Sequence, residues 1–150
     1  MTGQIYHVGL TVSDMERSVS FYRDILGLKY LGEILMEGSE TDAMFGRKNS
    51  RARVAYLNGS DEPGMPPVEL IQFTDSDVRT VPSDLFRSSI SELCFYTDDI
   101  DRTYKTLKGK NVECISAPQD FDFTEGGFGK SRAFYFKDPD GIILEMMQPL

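Results

Sequence analysis

The sequence predicts an α+β fold built from two like units, and three observations carry the prediction. His7-Val8-Gly9-Leu10-Thr11-Val12-Ser13-Asp14-Met15-Glu16-Arg17 aligns without a gap on Glu92-Leu93-Cys94-Phe95-Tyr96-Thr97-Asp98-Asp99-Ile100-Asp101-Arg102, at an offset of 92 − 7 = 85. Each copy is an alternating strand running into an acidic helix start. Each is followed by a later apolar strand holding one glutamate, Val68-Glu69-Leu70-Ile71 and Ile143-Leu144-Glu145-Met146, at an offset of 145 − 69 = 76. A repeat of this kind constrains architecture before any local motif does.

In the first copy Val8, Leu10 and Val12 alternate with His7, Gly9 and Thr11, so a strand over 7–12 turns His7 away from its aliphatic side. Asp14 offers an N-cap. Met15, Val19, Tyr22, Ile25 and Leu26 then recur at helical spacing until Gly27 supplies a stop. Strands follow at Lys29 to Met36, Arg51 to Asn58 and Val68 to Phe73, with a turn over Gly59 to Pro67.

The second copy repeats the order. Leu93 and Phe95 alternate with Glu92, Cys94 and Tyr96, which puts Glu92 at the position of His7. Asp99 caps a helix carrying Ile100, Tyr104 and Leu107, and Gly109 lies where it would end. Strands are expected at Val112 to Ser116, Ser131 to Phe136 and Ile142 to Met147. Asp138-Pro139-Asp140-Gly141 joins the last two, since proline presets the first central residue of the turn and glycine tolerates positive φ. Glu37 to Ser50 and Gln119 to Lys130 fit no element and are candidate loops over a site or ordinary connections. Phe121, Phe123 and Phe128 in the second of these are read either as ligand-closing aromatics or as core. The two units are expected to span about 1–80 and about 81–150 within one domain.

Composition narrows the function classes. A chain of 150 residues buries enough surface to need no staples, and Cys94 and Cys114 form no disulfide ladder, which fits a reducing cytoplasm. The first ten residues lack the basic-then-apolar pattern of a signal peptide, and no apolar run approaches the ~20 residues of a membrane span. With 16 basic and 24 acidic residues the net charge is −8, which repels phosphate backbones and anionic lipid. Neither nucleic acid nor a membrane is an expected partner.

The chemistry rests on the two strand glutamates. By alternation Glu69 shares a face with Ile71 and Phe73, and Glu145 with Ile143 and Met147. A carboxylate in apolar company must be neutralised, be hydrogen-bonded or bind a cation, because leaving it unpaired costs several kcal/mol. If a pseudo-twofold brings His7, Glu69, Glu92 and Glu145 together, one imidazole and three carboxylates suit a divalent ion such as manganese, iron, nickel or zinc. The ordinary alternative is a packed histidine and solvated glutamates.

The segments His7 to Val12, Phe21-Tyr22-Arg23-Asp24-Ile25-Leu26-Gly27-Leu28, Val68 to Ile71 and Asp138 to Glu145 resemble the vicinal oxygen chelate superfamily, which includes glyoxalase I, methylmalonyl-CoA epimerase, extradiol dioxygenases, and fosfomycin and bleomycin resistance proteins. The resemblance implies paired βαβββ modules forming a cupped mixed β-sheet around a central metal site, commonly in a homodimer. It also implies that His7, Glu69 and Glu145 match the family's first-strand histidine and two late-strand acidic ligands. Glu92 departs from the pattern, which usually has histidine there; it is a ligand, a base, or the mark of a lost metal.

Three function classes follow. In a metal-dependent lyase or isomerase, Glu145 or Glu92 moves a proton next to a metal-bound substrate oxygen. A ring-cleaving dioxygenase favours two histidines, and the chain has one. A sequestering, resistance-type protein binds its ligand without chemistry. Arg47, Lys48, Arg51 and Arg53 form a basic cluster, read either as a solvated hairpin tip or, through Arg47, Arg51 and Arg53, as an anchor for an anionic small-molecule substrate.

Overall fold

The computed structural model describes residues 5–60, 67–81 and 83–150. Most of the turn expected over Gly59 to Pro67 therefore lies outside the described residues. The chain divides into two compact units, Met1–Thr80 and Val81–Leu150.

In the first unit β1 (Val8–Thr11) leads into α1 (Met15–Ser20). Asp14 Oδ1 accepts from the Arg17 amide at 2.9 Å, satisfying one of the donors a helix start leaves open. The helix widens into a π-type turn over Phe21–Ile25, and Gly27, at φ 79°, reverses the chain so that the Leu28 amide reaches the Tyr22 carbonyl at 3.0 Å. Strand β2 (Lys29–Met36) follows, then α2 (Ser39–Phe45), β3 (Ala52–Asn58) and β4 (Val68–Phe73). The sheet order is β1-β4-β3-β2, with β1 parallel to β4 and the other pairs antiparallel. Helix α1 packs on β3 and β4, and Val12, Met15, Tyr22, Leu57 and Leu70 bury almost completely. Each such side chain contributes roughly 1.5–3 kcal/mol.

The second unit repeats the plan with β5 (Leu93–Tyr96), α3 (Ile100–Gly109), β6 (Gln119–Phe123), β7 (Gly129–Lys137) and β8 (Ile143–Pro149). Its order is β5-β8-β7-β6, again with the first pair parallel. Asp99 Oδ1 caps α3 through the Arg102 amide at 2.9 Å. Ile100, Leu107, Phe136 and Leu144 form the core beneath the helix. The fold is thus α+β, with two four-stranded mixed sheets of like topology.

Three local expectations need correction. Glu37 to Ser50 contains α2, whose loop is tied back when Asp42 accepts from the Asn49 and Ser50 amides at 2.9 and 2.8 Å. Val112 to Ser116 is not a strand of its own: it touches β7 by one bridge, Cys114 to Phe136, and pairing resumes at Gln119 opposite Ala133. Pro118 lies in the break and has no amide hydrogen to donate. Gln119 to Lys130 is therefore mostly strand and tight turn rather than a loop, and Phe121, Phe123 and Phe128 stand exposed instead of entering a core. Gly109 ends α3, but Asn111, at φ 60°, makes the reversal. The Asp138–Gly141 turn forms as expected: Gly141 has φ 82°, and Asp138 Oδ1 accepts from the Asp140 and Ile142 amides at 2.9 and 2.8 Å.

Candidate functional site

In the first unit the sheet register assembles the site. Glu69 lies in β4 with Gly9 of β1 beside it on one side and Tyr56 of β3 on the other. Residues in register share a face, and His7, two residues before Gly9, falls on that face too. The Tyr56 phenol donates to Glu69 Oε1 at 2.7 Å, while Oε2 lies 3.3 Å from His7 Nε2. Glu69 is only 9% exposed, whereas the His7 side chain is 38% exposed. The imidazole is flanked edge-on by Tyr6 and Tyr56, at centroid distances of 5.9 and 6.2 Å.

Gly9 has a steric reason to be glycine. A Cβ there would sit 3.1 Å from Glu69 Oε2, tighter than nine in ten real Cβ contacts, and in van der Waals contact with Ile71 Cδ1 at 3.4 Å. The hydrogen bond to Glu69, together with burial and the carboxylate's charge, pushes the Tyr56 phenol up to about 12, so it remains a donor at neutral pH. The buried carboxylate thus has a phenol on one oxygen and an imidazole facing the other. A nitrogen and an oxygen 3.3 Å apart are donors of the types that divalent ions of borderline character take.

The second unit reproduces the register with different chemistry. Glu145 of β8 pairs with Cys94 of β5 and Tyr135 of β7, the places that Gly9 and Tyr56 hold around Glu69. Glu92 precedes β5 by one residue, as His7 precedes β1. Burial, a hydrogen bond to Glu145 and the charges of Glu145 and Glu92 push the Cys94 thiol up to about 12, even though the residue keeps exposed surface. It is a protonated thiol rather than a nucleophilic thiolate. Burial first, then the same two carboxylates, raise the Tyr135 phenol as well.

Within each unit, then, the predicted donors come together as His7 with Glu69, and Glu92 and Glu145 around Cys94. Among the described residues no group of three or more His, Cys, Asp or Glu side chains gathers to hold a metal. The arginines behave differently from an open anion anchor. Arg47 pairs with Asp75, Arg51 with Glu37 at 3.0 Å, and Arg53 with Glu33 at 2.6 Å and Glu16 at 2.7 Å. Their charge is taken up by carboxylates of their own unit. Sequence reasoning missed Tyr56 and Tyr135. The signal was present, since Arg53-Val54-Ala55-Tyr56 and Arg132-Ala133-Phe134-Tyr135 repeat an arginine and a tyrosine three residues apart.

Comparison with known proteins agrees with this architecture. The family model of the Glyoxalase/Bleomycin resistance protein/Dioxygenase superfamily matches residues 4–146, and the chain belongs to that superfamily. It is 28% identical to the uncharacterized protein YaeR of Escherichia coli (strain K12) over 97% of this chain and 95% of YaeR. It is 26% identical to a probable lactoylglutathione lyase of Vibrio parahaemolyticus, over 97% of this chain and 91% of that protein. The crystal structure of a glyoxalase family protein from Bacillus cereus superposes with a TM-score of 0.86 at 18% identity, covering 100% of this chain and 96% of the other, which is a likeness of fold.

Proposed function

We propose that the protein is a divalent-metal-dependent lyase or isomerase of the glyoxalase or epimerase type, which moves a proton at a carbon next to a substrate carbonyl. The observation that carries the reading is the pair His7 Nε2 and Glu69 Oε2, 3.3 Å apart, the histidine just before the first strand of the first unit and the glutamate on its last. The superfamily and the similarity to a probable lactoylglutathione lyase support it. We assign His7, Glu69 and Glu145 as donors, with Glu92 as a fourth, for manganese, iron, nickel or zinc.

Held by these residues, such an ion would polarise a substrate oxygen and acidify the neighbouring C–H. Glu69 is held on Oε1 by the Tyr56 phenol and keeps Oε2 beside His7 Nε2. Glu145 and Glu92 are half-buried and carry the proton-moving role. The Cys94 thiol beside Glu145 stays protonated and does not compete as a nucleophile. A cytoplasmic homodimer belongs to the same reading. Two cysteines free of disulfides support the compartment, and exposed Leu31, Ile34 and Leu35 on the edge strand β2 support a second copy.

The test is elemental analysis of protein purified without chelator, beside His7→Ala and Glu145→Ala, followed by incubation of metal-loaded protein with α-hydroxy-carbonyl and acyl-thioester compounds in deuterated water. Metal that falls in both variants, with solvent deuterium appearing beside the carbonyl, is the expected result. Unchanged metal content removes the site. Tight binding of a drug-like aromatic with no exchange in any compound replaces this reading with the sequestering protein.

A further inference from the structure

Each unit sets a tyrosine in register with its strand glutamate, Tyr56 with Glu69 and Tyr135 with Glu145. In the first unit the contact is closed by the 2.7 Å hydrogen bond to Oε1. The last torsion of a glutamate is broad, so an unrestrained carboxylate can offer either oxygen, or both, to whatever lies before it. Glu69 does not have that freedom. Turning it would break the phenol bond at a side chain only 11% exposed, where water gives little compensation. Gly9 adds the room on the other side, because a Cβ there would press on Oε2 at 3.1 Å.

We propose that Tyr56 is a positioning residue for Glu69: its hydrogen bond holds Oε1, so that Oε2 alone is presented beside His7 Nε2 as a single-oxygen donor. The inference deepens the metal-dependent reading and rests on it only where a metal enters the test. A phenol that merely filled space would be replaced by a phenyl ring without consequence for the carboxylate.

His7 is the chain's single histidine, so its imidazole gives one unambiguous pair of nitrogen resonances. In metal-free Tyr56→Phe at fixed pH, the His7 Nε2 resonance is expected to move well outside its line width as Glu69 takes up other rotamers, while the melting temperature changes little. An unmoved resonance in folded Tyr56→Phe overturns the proposal. Should that variant not fold, the wild-type protein decides: the Tyr56 hydroxyl proton is expected as a slowly exchanging resonance coupled to the Glu69 carboxyl carbon, and exchange at the solvent rate overturns it. In the metal arm, Tyr56→Phe is expected to weaken cobalt(II) binding about tenfold, the usual loss when a ligand's supporting hydrogen bond is removed, and to alter the visible spectrum of the bound ion. Equal affinity with an identical spectrum overturns the proposal. A wild-type protein that binds no cobalt ends the metal-dependent reading, while the His7 resonance still decides the role of Tyr56.

Discussion

Arg53 holds Glu16 as Arg132 holds Asp101. In each unit the guanidinium Nη1 reaches an acidic residue in the first turn of the helix, at 2.7 and 2.6 Å, while Nε reaches an acidic residue on the neighbouring strand, Glu33 at 2.6 Å and Asp120 at 2.9 Å. The clamp ties helix to sheet twice over. Its recurrence in both units points to a structural duty for Arg53 rather than to a ligand contact.

Arg53→Gln is expected to lower the melting temperature by a few degrees at low salt and by less at high salt, because surface ion pairs are screened. Small-molecule binding should be unaffected. Calorimetry in both salts, with a ligand titration, checks this. Lost binding at an unchanged melting temperature would return Arg53 to the substrate site.

The clamps also set an acid limb. Asp101 is held below its ordinary 3.8 by the Arg132 hydrogen bond, and Glu16 below its ordinary 4.5 by that of Arg53. A carboxylate with a depressed folded pKa contributes stability that is full above its unfolded value and is lost as pH falls through the folded one. Stability should therefore decline below about pH 4.5, and Arg132→Gln should flatten the part due to Asp101. Denaturant midpoints measured from pH 6 to pH 2 give the comparison; parallel curves for the two proteins would refute it.

Gly9→Ala should leave the fold intact, since alanine suits a strand at least as well as glycine. The new methyl group must nevertheless displace the Glu69 carboxylate from its place near His7. We expect a melting temperature close to wild type, together with a shifted His7 imidazole resonance and weaker divalent-metal binding. An unchanged imidazole signal would mean that the carboxylate does not need the space.

Cys94 should alkylate slowly at neutral pH despite its exposure, because its thiol lies at about 12. Glu145→Gln removes a negative charge that helps raise it and leaves only a neutral amide oxygen as acceptor, so modification should accelerate. Peptide mass spectrometry separates Cys94 from Cys114. Equal rates in wild type and variant would show that Glu145 does not act on this thiol.

The sequence by itself determined what depends on neighbours along the chain. Alternation located β1 and β5, the caps Asp14 and Asp99 marked both helix starts, and Asp138 to Gly141 fixed a turn. Each of these forms through contacts within a few residues. The apolar setting of Glu69 likewise pointed to a carboxylate in need of a partner. Only the tertiary structure decided which partner. Tyr56 and Glu69 stand thirteen residues apart in the chain and meet because β3 and β4 pair in one register, and a slip by one residue would turn the phenol to the other face. Register also gave Arg53 its two carboxylates and moved the sixth strand past Pro118 to Gln119. Such pairings are set by the free energy of the whole sheet, which spacing within one strand does not encode.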